Sequence, residues 1–276
     1  MNYKIVSDSS ANLAVLDGVP FCSVPMHVIV GSQDFTDDTG ADPAAMHDAL
    51  AAYRGKTSTS CPSIENWLAA FGDAEVVYCV TITSNLSGAY NSAAAAAQMY
   101  EAEHPGRRVY VFDSLSTGPE MVLILEKIRA LVLAGTAPEE VNTQVRSYCR
   151  KTHLYFSLAS LNNLARNGRI NPLIAKGIGL LGIQVIGKAS DVGTLQPMHK
   201  RRGEKKALAC LVEQMKEVGY NCGRVIISHT GNLPAAEELR DLIKQEFGRF
   251  NGFIHENRIL CGYYAEPKSI LVGFEA

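Results

Sequence analysis

The sequence predicts a two-domain α/β protein whose first half forms a parallel βα sheet and whose second half is an α+β domain with a mixed sheet. The chain has 276 residues, near the size at which a single core tends to divide into two. Short apolar segments alternate with helical segments in the first half, whereas strands dominate the second half. Apolar residues make up 47% and charged residues 20% of the chain, which is typical of globular proteins.

The first half alternates between strand and helix patterns. Apolar segments of strand length lie at residues 3–6, 24–30, 76–83 and 109–112, and segments with helical spacing or composition lie at 43–53, 63–71, 87–103 and 119–134. Strands that alternate with helices in this way pair in parallel, so a Rossmann-like sheet is expected. Residues 76–80 and 109–112 are apolar at nearly every position, as expected for strands covered on both faces.

The second half has a different pattern of predicted strands and helices. Its strand candidates are residues 154–158, 182–188, 194–199, 224–228, 253–257 and 270–274, and residues 187–193 have turn chemistry suited to a hairpin. A predicted helix at 138–150 lies between the halves, and no Gly/Ser linker separates them. We therefore expect two domains, 1–152 and 153–276, that pack firmly together with a ligand between them.

Small polar residues follow three strands of the first half. They lie at residues 7–10, 83–85 and 113–114, directly after the first, third and fourth strand candidates. Because ligands bind beyond the carboxyl ends of parallel strands, these residues are expected to share one edge of the sheet. Each group alone is also ordinary turn or capping chemistry.

The turn at residues 83–88 is the strongest candidate for a site. It joins an apolar strand to an alanine-rich helix, and the free N–H groups and dipole of a helix start favour a carboxylate or phosphate. A single cap needs one hydroxyl, whereas this turn offers Thr83, Ser84 and Ser87. A second hydroxyl-rich segment at residues 57–63 precedes a helix, with Ser63 as its predicted cap.

The net charge and the cysteine content limit the classes of function that are expected for this chain. The 26 basic and 28 acidic residues give a net charge of −2 and no global field for nucleic acid, although residues 200–206 contain a basic cluster. Seven scattered cysteines without a C-x-x-C pair favour a reducing cytoplasm. Neither a signal peptide nor an apolar stretch of membrane-spanning length is present, and no His/Cys/Asp spacing suggests a metal site.

Six segments, in order, resemble the DegV family of bacterial fatty-acid-binding proteins. They are K-I-V-S-D-S-S at 4–10, S-T-S-C-P-S at 58–63, T-S-N-L-S-G-A-Y-N-S-A at 83–93, F-D-S at 112–114, L-N-N-L to G-R-I at 161–170 and R-G-E-K-K-A-L at 202–208. The corresponding family patterns for the first three are T-D-S-T after a strand, T-T-S-Q-P-S and S-S-G-L-S-G-T-Y-Q-S-A. The resemblance runs nearly from end to end.

This resemblance implies a carrier protein rather than an enzyme. A DegV protein sequesters a long-chain fatty acid between its domains and presents the carboxylate to a partner fatty acid kinase, which forms an acyl phosphate. The bound fatty acid would be the ligand, with no cofactor, no metal and no nucleic-acid partner. Contact with a membrane would be peripheral and transient.

The resemblance also implies a set of site residues. It places six positions at the carboxylate, the first three through hydroxyl groups and the others through nearby backbone N–H groups: Ser58, Thr59, Ser84, Asn85, Ser87 and Gly88. Arg169 and Arg202 match basic residues near the headgroup or on the kinase-facing surface. From residue type alone, the two arginines are explained equally well as surface residues, Arg169 at a helix end and Arg202 at a helix start.

The family pattern is not kept near the C-terminus. The family usually carries G-T-H-x-G-P-G-A-L-G there, with its histidine near the carboxylate, whereas residues 261–271 read C-G-Y-Y-A-E-P-K-S-I-L. Tyr264 stands at the position of the histidine, and the family's K-P before the hairpin is replaced by Gln184-Val185. A tyrosine hydroxyl can donate one hydrogen bond to a carboxylate but cannot become a cation near neutral pH.

Three alternatives therefore stay open. The chain could be a divergent DegV-like protein that binds another amphiphilic carboxylate or phosphate without kinase coupling. It could be a small-molecule hydrolase that uses a serine of the 83–88 turn, although no G-x-S-x-G elbow surrounds that turn. It could also bind a nucleotide or sugar phosphate, although neither G-x-G-x-x-G nor a P-loop is present.

Overall fold

The computed structural model describes residues 2–175 and 182–276, which form three sheets and their covering helices. The strands are β1 (Tyr3–Asp8), β2 (Phe21–Val24), β3 (His27–Val30), β4 (Gln33–Thr36), β5 (Thr57–Ser60), β6 (Val76–Thr81), β7 (Arg108–Asp113), β8 (Thr152–Leu158), β9 (Ile183–Ala189), β10 (Leu195–Arg202), β11 (Val225–His229), β12 (Gly252–Glu256) and β13 (Ile270–Glu275). The helices are α1 (Pro43–Ala52), α2 (Ile64–Phe71), α3 (Ala89–Glu103), α4 (Pro119–Leu133), α5 (Pro138–Tyr148), α6 (Asn162–Arg166), α7 (Pro172–Ala175), α8 (Glu204–Glu217), α9 (Leu233–Phe247) and α10 (Ile259–Ala265). Within these ranges, no helix is both long and apolar enough to cross a membrane.

The predicted parallel sheet is present in the first half. Its strand order is β2-β1-β6-β7 and every pairing is parallel. The carboxyl ends of its strands meet at one edge, as predicted: the Asp8 carboxylate accepts a 2.7 Å hydrogen bond from the Ile82 amide. The Asp113 carboxylate accepts one of 3.1 Å from the Ser84 amide. The predicted α/β fold class is confirmed.

The single strand predicted at residues 24–30 is wrong. Strand β2 ends at Val24 in the parallel sheet, and β3 begins at His27 in a separate antiparallel sheet of order β4-β3-β5. Pro25 has no amide hydrogen to donate to a ladder, so the pairing breaks there. The prediction also missed β4 and β5, and β5 occupies residues 57–60, which were interpreted as a hydroxyl-rich turn.

Helix starts follow the signals in the sequence. Ser63 accepts a hydrogen bond from the Asn66 amide, and the Asn66 side chain accepts one from the Ser63 amide, so the predicted cap of α2 is a complete capping box. Asp42 caps α1 by accepting from two amides of its first turn. Proline at the first helical position begins α4 and α5, where its missing N–H has no cost.

The second half forms a six-stranded mixed sheet of order β10-β9-β8-β13-β11-β12. Strands β11 and β12 pair in parallel, and the other neighbours pair antiparallel. The predicted hairpin is formed by β9 and β10, and its turn is closed by a 2.8 Å hydrogen bond from the Gly193 amide to the Ser190 carbonyl. The start of the strand predicted at 182–188 lies next to residues 176–181, which are outside the described ranges.

Helix α4 lies between the two main sheets. It contacts β1 and β6 on one side and β8, β11 and β13 on the other. Ile124 and Leu125 lie about one helical turn after Met121 and join the core of the first half with it, whereas Val122 and Leu123 pack with Ile226 of β11. A helix that is buried on both faces in this way must be apolar nearly all round, which explains its composition.

Helix α10 crosses back into the first half. Its Ile259, Leu260 and Tyr263 belong to the same core as the parallel sheet. The buried Asp37 carboxylate accepts hydrogen bonds from the first two amides of α10, and the guanidinium of Arg258 lies 3.3 Å from it. These contacts hold the C-terminal segment against the N-terminal domain.

Two buried carboxyl groups predict a pH-dependent stability. Burial raises the pKa of Glu120 from 4.5 to about 7, although its carboxylate accepts a 2.8 Å hydrogen bond from Thr152. Burial also raises the pKa of Asp8 from 3.8 to about 6, against hydrogen bonds from Ser10 and Ile82. The folded chain thus holds more protons than the unfolded chain within this window, so the free energy of unfolding should fall as the pH rises from about 4 to about 7.

The variant Glu120→Gln is expected to remove about 3 kcal/mol of this fall, because each pKa unit corresponds to roughly 1.4 kcal/mol. Glutamine keeps an acceptor for Thr152 but cannot ionise. Urea unfolding of both proteins at the two ends of the pH window measures the difference. Profiles that run parallel for the variant and the parent would show that Glu120 does not carry this pH dependence.

Candidate functional site

An apolar cavity lies between the N-terminal and C-terminal halves of the chain. Met26, Ile82 and Leu86 supply part of the wall from the first half. Thr59, Ser87 and Thr117 also come from the first half, and the second half supplies the rest, mainly from strand β8 and helix α10.

Strand β8 forms the apolar floor of the cavity. Leu154, Phe156 and Leu158 alternate along the strand, so all three side chains point to the same face of the sheet. The strand was predicted from the sequence, but no residue of the apolar part of the cavity wall was. The period-two spacing of these large side chains is the local signal that could have identified them.

Tyr264 is one of the polar side chains that line the cavity. Its hydroxyl is 2.8 Å from Thr59 Oγ1, and Ser87 and Arg169 also line the cavity. Burial raises the pKa of Tyr264 from 10.0, although the hydrogen bond with Thr59 and the positive charge of Arg169 oppose that shift. Tyr264 is therefore a neutral hydroxyl at physiological pH and can donate a hydrogen bond to an anion.

Two backbone carbonyls hold Arg169 at the cavity wall. Its Nε donates to the Leu86 carbonyl at 3.1 Å, and Nη1 donates to the Asn167 carbonyl at 2.6 Å. These bonds use only part of the five donors of a guanidinium. The remaining donors and the positive charge are available to a carboxylate in the cavity.

Strand β5 explains why Thr59, and not Ser58, reaches the cavity. Thr57 and Thr59 occupy the inner face of the strand, where Thr57 Oγ1 lies 2.5 Å from the hydroxyl of Tyr263. Ser58 alternates with them and is exposed on the outer face. The two threonines thus position the two adjacent tyrosines of α10.

The turn at residues 83–88 is engaged mainly with the other domain. Thr83 Oγ1 donates a 2.9 Å hydrogen bond to the Gly193 carbonyl, and Asn85 Nδ2 donates one of 2.6 Å to the Val192 carbonyl. Both carbonyls belong to the turn of the β9–β10 hairpin. The amide of Ser84 is occupied by Asp113. This turn therefore connects the domains, and its Leu86 and Ser87 also line the cavity.

The structure brings some of the predicted site residues together and leaves others apart. The predicted positions that line the cavity are Thr59, Ser87, Arg169 and Tyr264. The predicted positions outside its lining are Ser58, Ser84, Asn85, Gly88 and Arg202. Gly88 is the exposed N-cap of α3, and Arg202 is exposed at the end of β10. Among the described residues, no group of three or more His, Cys, Asp or Glu side chains could hold a metal ion.

The chain is similar to proteins of one family along its whole length. The family profile described as "Uncharacterised protein, DegV family" matches residues 2–276. A DegV domain-containing protein of Streptococcus pneumoniae is 36% identical over 279 residues, which cover 100% of this chain and 99% of the relative.

Two solved structures are similar in both sequence and fold. A DegV family protein from Eubacterium eligens, loaded with heptadecanoic acid, has a TM-score of 0.97 and 40% identity, with 99% of each chain covered. The Streptococcus pneumoniae Fatty Acid Kinase (Fak) B3 protein, loaded with linoleic acid, has a TM-score of 0.97 and 36% identity, with 100% of this chain and 99% of that chain covered. These findings confirm the resemblance in the sequence, and the chain belongs to the DegV family.

Proposed function

We propose that this chain binds a long-chain fatty acid in the interdomain cavity and presents its carboxylate to a partner kinase. The observation that carries the proposal is the division of the cavity wall into a long apolar part and a cluster of polar side chains around Tyr264. An amphiphile with one charged end fits such a wall. A nucleotide or sugar phosphate would instead leave many polar groups facing leucine side chains.

The acyl chain supplies most of the binding free energy. Burial of each methylene contributes roughly 0.8 kcal/mol, whereas each hydrogen bond to a charged group contributes about 1.5–3 kcal/mol. A long chain therefore outweighs its headgroup. The wall formed by β8 and α10 determines affinity, and the polar cluster orients the acid.

The polar cluster fits a carboxylate through one cation and several hydroxyl groups. Arg169 provides the positive charge, and the hydroxyl groups of Thr59, Ser87 and Tyr264 provide donors. Tyr264 takes the position of the family histidine, so this position adds a donor and no charge near neutral pH. We accordingly propose these four residues as the headgroup site, within domains 1–152 and 153–276.

The kinase partnership is proposed by analogy with the Fak B3 relative. A protein that encloses the acyl chain and leaves the reactive carboxyl group near its surface would act as a substrate-presenting subunit and not as the catalyst. Native mass spectrometry of the protein purified from cells, followed by lipid extraction, tests the binding proposal. A co-purifying long-chain fatty acid is expected. An empty or nucleotide-bound protein that also ignores added fatty acid would overturn it.

The variant Tyr264→Phe is expected to weaken hexadecanoate binding by about tenfold, because one hydrogen bond to the carboxylate is lost. The ring stays in place, so the apolar wall is preserved. Tyr53→Phe, on the exposed end of α1, is the matched control and should leave affinity unchanged. Displacement of a fluorescent fatty acid gives both affinities. Equal weakening in the two variants, or none in either, would contradict the assignment of Tyr264 to the headgroup site.

A further inference from the structure

A second polar position interrupts the apolar wall of the cavity. Thr117, just before α4, and Cys261, in the first turn of α10, both line the cavity, and Thr117 Oγ1 lies 3.6 Å from Cys261 Sγ. Apart from this pair and the four headgroup residues, the described side chains that line the cavity are apolar. A purely hydrocarbon ligand would need no polar group there.

The pair lies away from the headgroup site. Cys261 precedes Tyr264 by one helical turn of α10, but the two side chains contact different segments: the Cys261 thiol contacts the Ser10 carbonyl and not strand β5. The tyrosine hydroxyl extends further toward Thr59. Near the pair, Leu271 packs 3.6 Å from the position that a Cβ at Gly118 would take. The pair therefore faces the acyl chain and not the carboxylate.

Thr117 keeps unused hydrogen-bonding capacity. The Cys261 thiol donates to the Ser10 carbonyl at 3.2 Å, and burial raises the pKa of this thiol to about 12, so it stays a protonated donor. Sulfur is a weak hydrogen-bond acceptor. Among the described residues, the Cys261 sulfur is the hydrogen-bond partner of the Thr117 hydroxyl. A hydroxyl that faces a hydrocarbon chain with only this partner is poorly satisfied. An oxygen atom on the ligand would satisfy it.

We propose that Thr117, with Cys261 beside it, forms a subsite for an oxygen substituent in the middle of the acyl chain. The preferred ligand class is then a long-chain fatty acid that carries a mid-chain hydroxyl or keto group. This inference rests on the proposed fatty-acid binding and specifies the class of acid. Thr117 and Cys261, the polar pair in the otherwise apolar part of the described cavity wall, would then select among fatty acids.

The test compares octadecanoic acid with its 8-, 10- and 12-hydroxy derivatives and with its 2-hydroxy derivative, in displacement of a fluorescent fatty acid. The parent protein should bind at least one mid-chain hydroxy acid about tenfold more tightly than octadecanoic acid, as expected for one added neutral hydrogen bond. The 2-hydroxy acid, whose hydroxyl adjoins the carboxylate, should not share this preference.

The variant Thr117→Val should reduce the affinity ratio of hydroxy acid to octadecanoic acid from about ten to about one. Cys261→Ala should keep or increase the ratio, because the Thr117 hydroxyl then lacks even its sulfur partner. Thr143→Val on the exposed face of α5 is the control and should keep the parent ratio.

Equal affinities for all acids in the parent protein, or a ratio unchanged in Thr117→Val, would overturn the inference while leaving fatty-acid binding intact. If none of the acids binds, the proposed function fails instead. Because Cys261→Ala tests the same subsite from the other side, loss of the ratio in that variant would also contradict the role given to Thr117.

Discussion

The variant Ala265→Phe is expected to bind hexadecanoate about 1,000-fold more weakly than the parent chain. Ala265 is buried at the end of α10 and lines the cavity beside Leu158 and Leu164. A phenyl ring there would displace about five methylenes of the acyl chain, at roughly 0.8 kcal/mol each. The loss of about 4 kcal/mol corresponds to the stated factor.

Chain length provides the specific readout for this variant. A short acid such as octanoate, which has fewer methylenes to displace, should lose less affinity than hexadecanoate. Ala44→Phe on the exposed start of α1 is the matched control and should leave both affinities unchanged. Parent-like binding of hexadecanoate by Ala265→Phe would mean that the acyl chain does not occupy this cavity.

The variant Gly273→Val is expected to lower the free energy of unfolding by about 4 kcal/mol, at the upper end of overpacking effects. A Cβ at Gly273 would lie 2.5 Å from the Glu120 amide nitrogen and from the Pro119 carbonyl carbon. Because these are backbone atoms, the start of α4 would have to move away from β13. The packing of α4 between the two sheets would then be lost at its first turn.

Gly40→Val is the matched control for this prediction. A Cβ at Gly40 would meet only the side chain of Asp38, at 3.4 Å, so the free energy of unfolding should change by no more than about 0.5 kcal/mol. Urea unfolding with an unchanged m value measures both variants. A small effect at Gly273 would indicate that α4 can shift without cost and that the sheets are less tightly joined than their contacts imply.

Local patterns predicted the parallel sheet and the helices of the first half well, because the pattern of buried residues repeats over a few positions in a strand or helix. The segments at 76–80 and 109–112 are apolar at nearly every position, and they form the paired strands β6 and β7. The strand predicted at 24–30 was wrong because an apolar run does not reveal which sheet each part joins. Pro25 marked the break, but the separate antiparallel sheet depends on partners elsewhere in the chain.

The proposed headgroup site could be predicted only in part, for a similar reason. Alternation along β5 requires Ser58 and Thr59 to face opposite sides. Which side is the inner one follows from pairing with β3, where Thr59 lies opposite the buried Val28. Cross-strand neighbours share a face, so Thr59 points inward and Ser58 does not. The hydroxyl-rich pattern alone could not distinguish the two residues.

Motif order and hydrophobic periodicity, which are properties of neighbouring residues, were sufficient to predict the family and the α/β architecture. The partners of individual side chains depend on contacts between distant segments. Thr83 bonds the Gly193 carbonyl, and Tyr264 meets Thr59 across more than 200 positions of the chain. In the folded protein, the turn at 83–88 therefore connects the two domains. Tyr264 and Thr59 lie at the cavity because packing determines which hydroxyl groups face it.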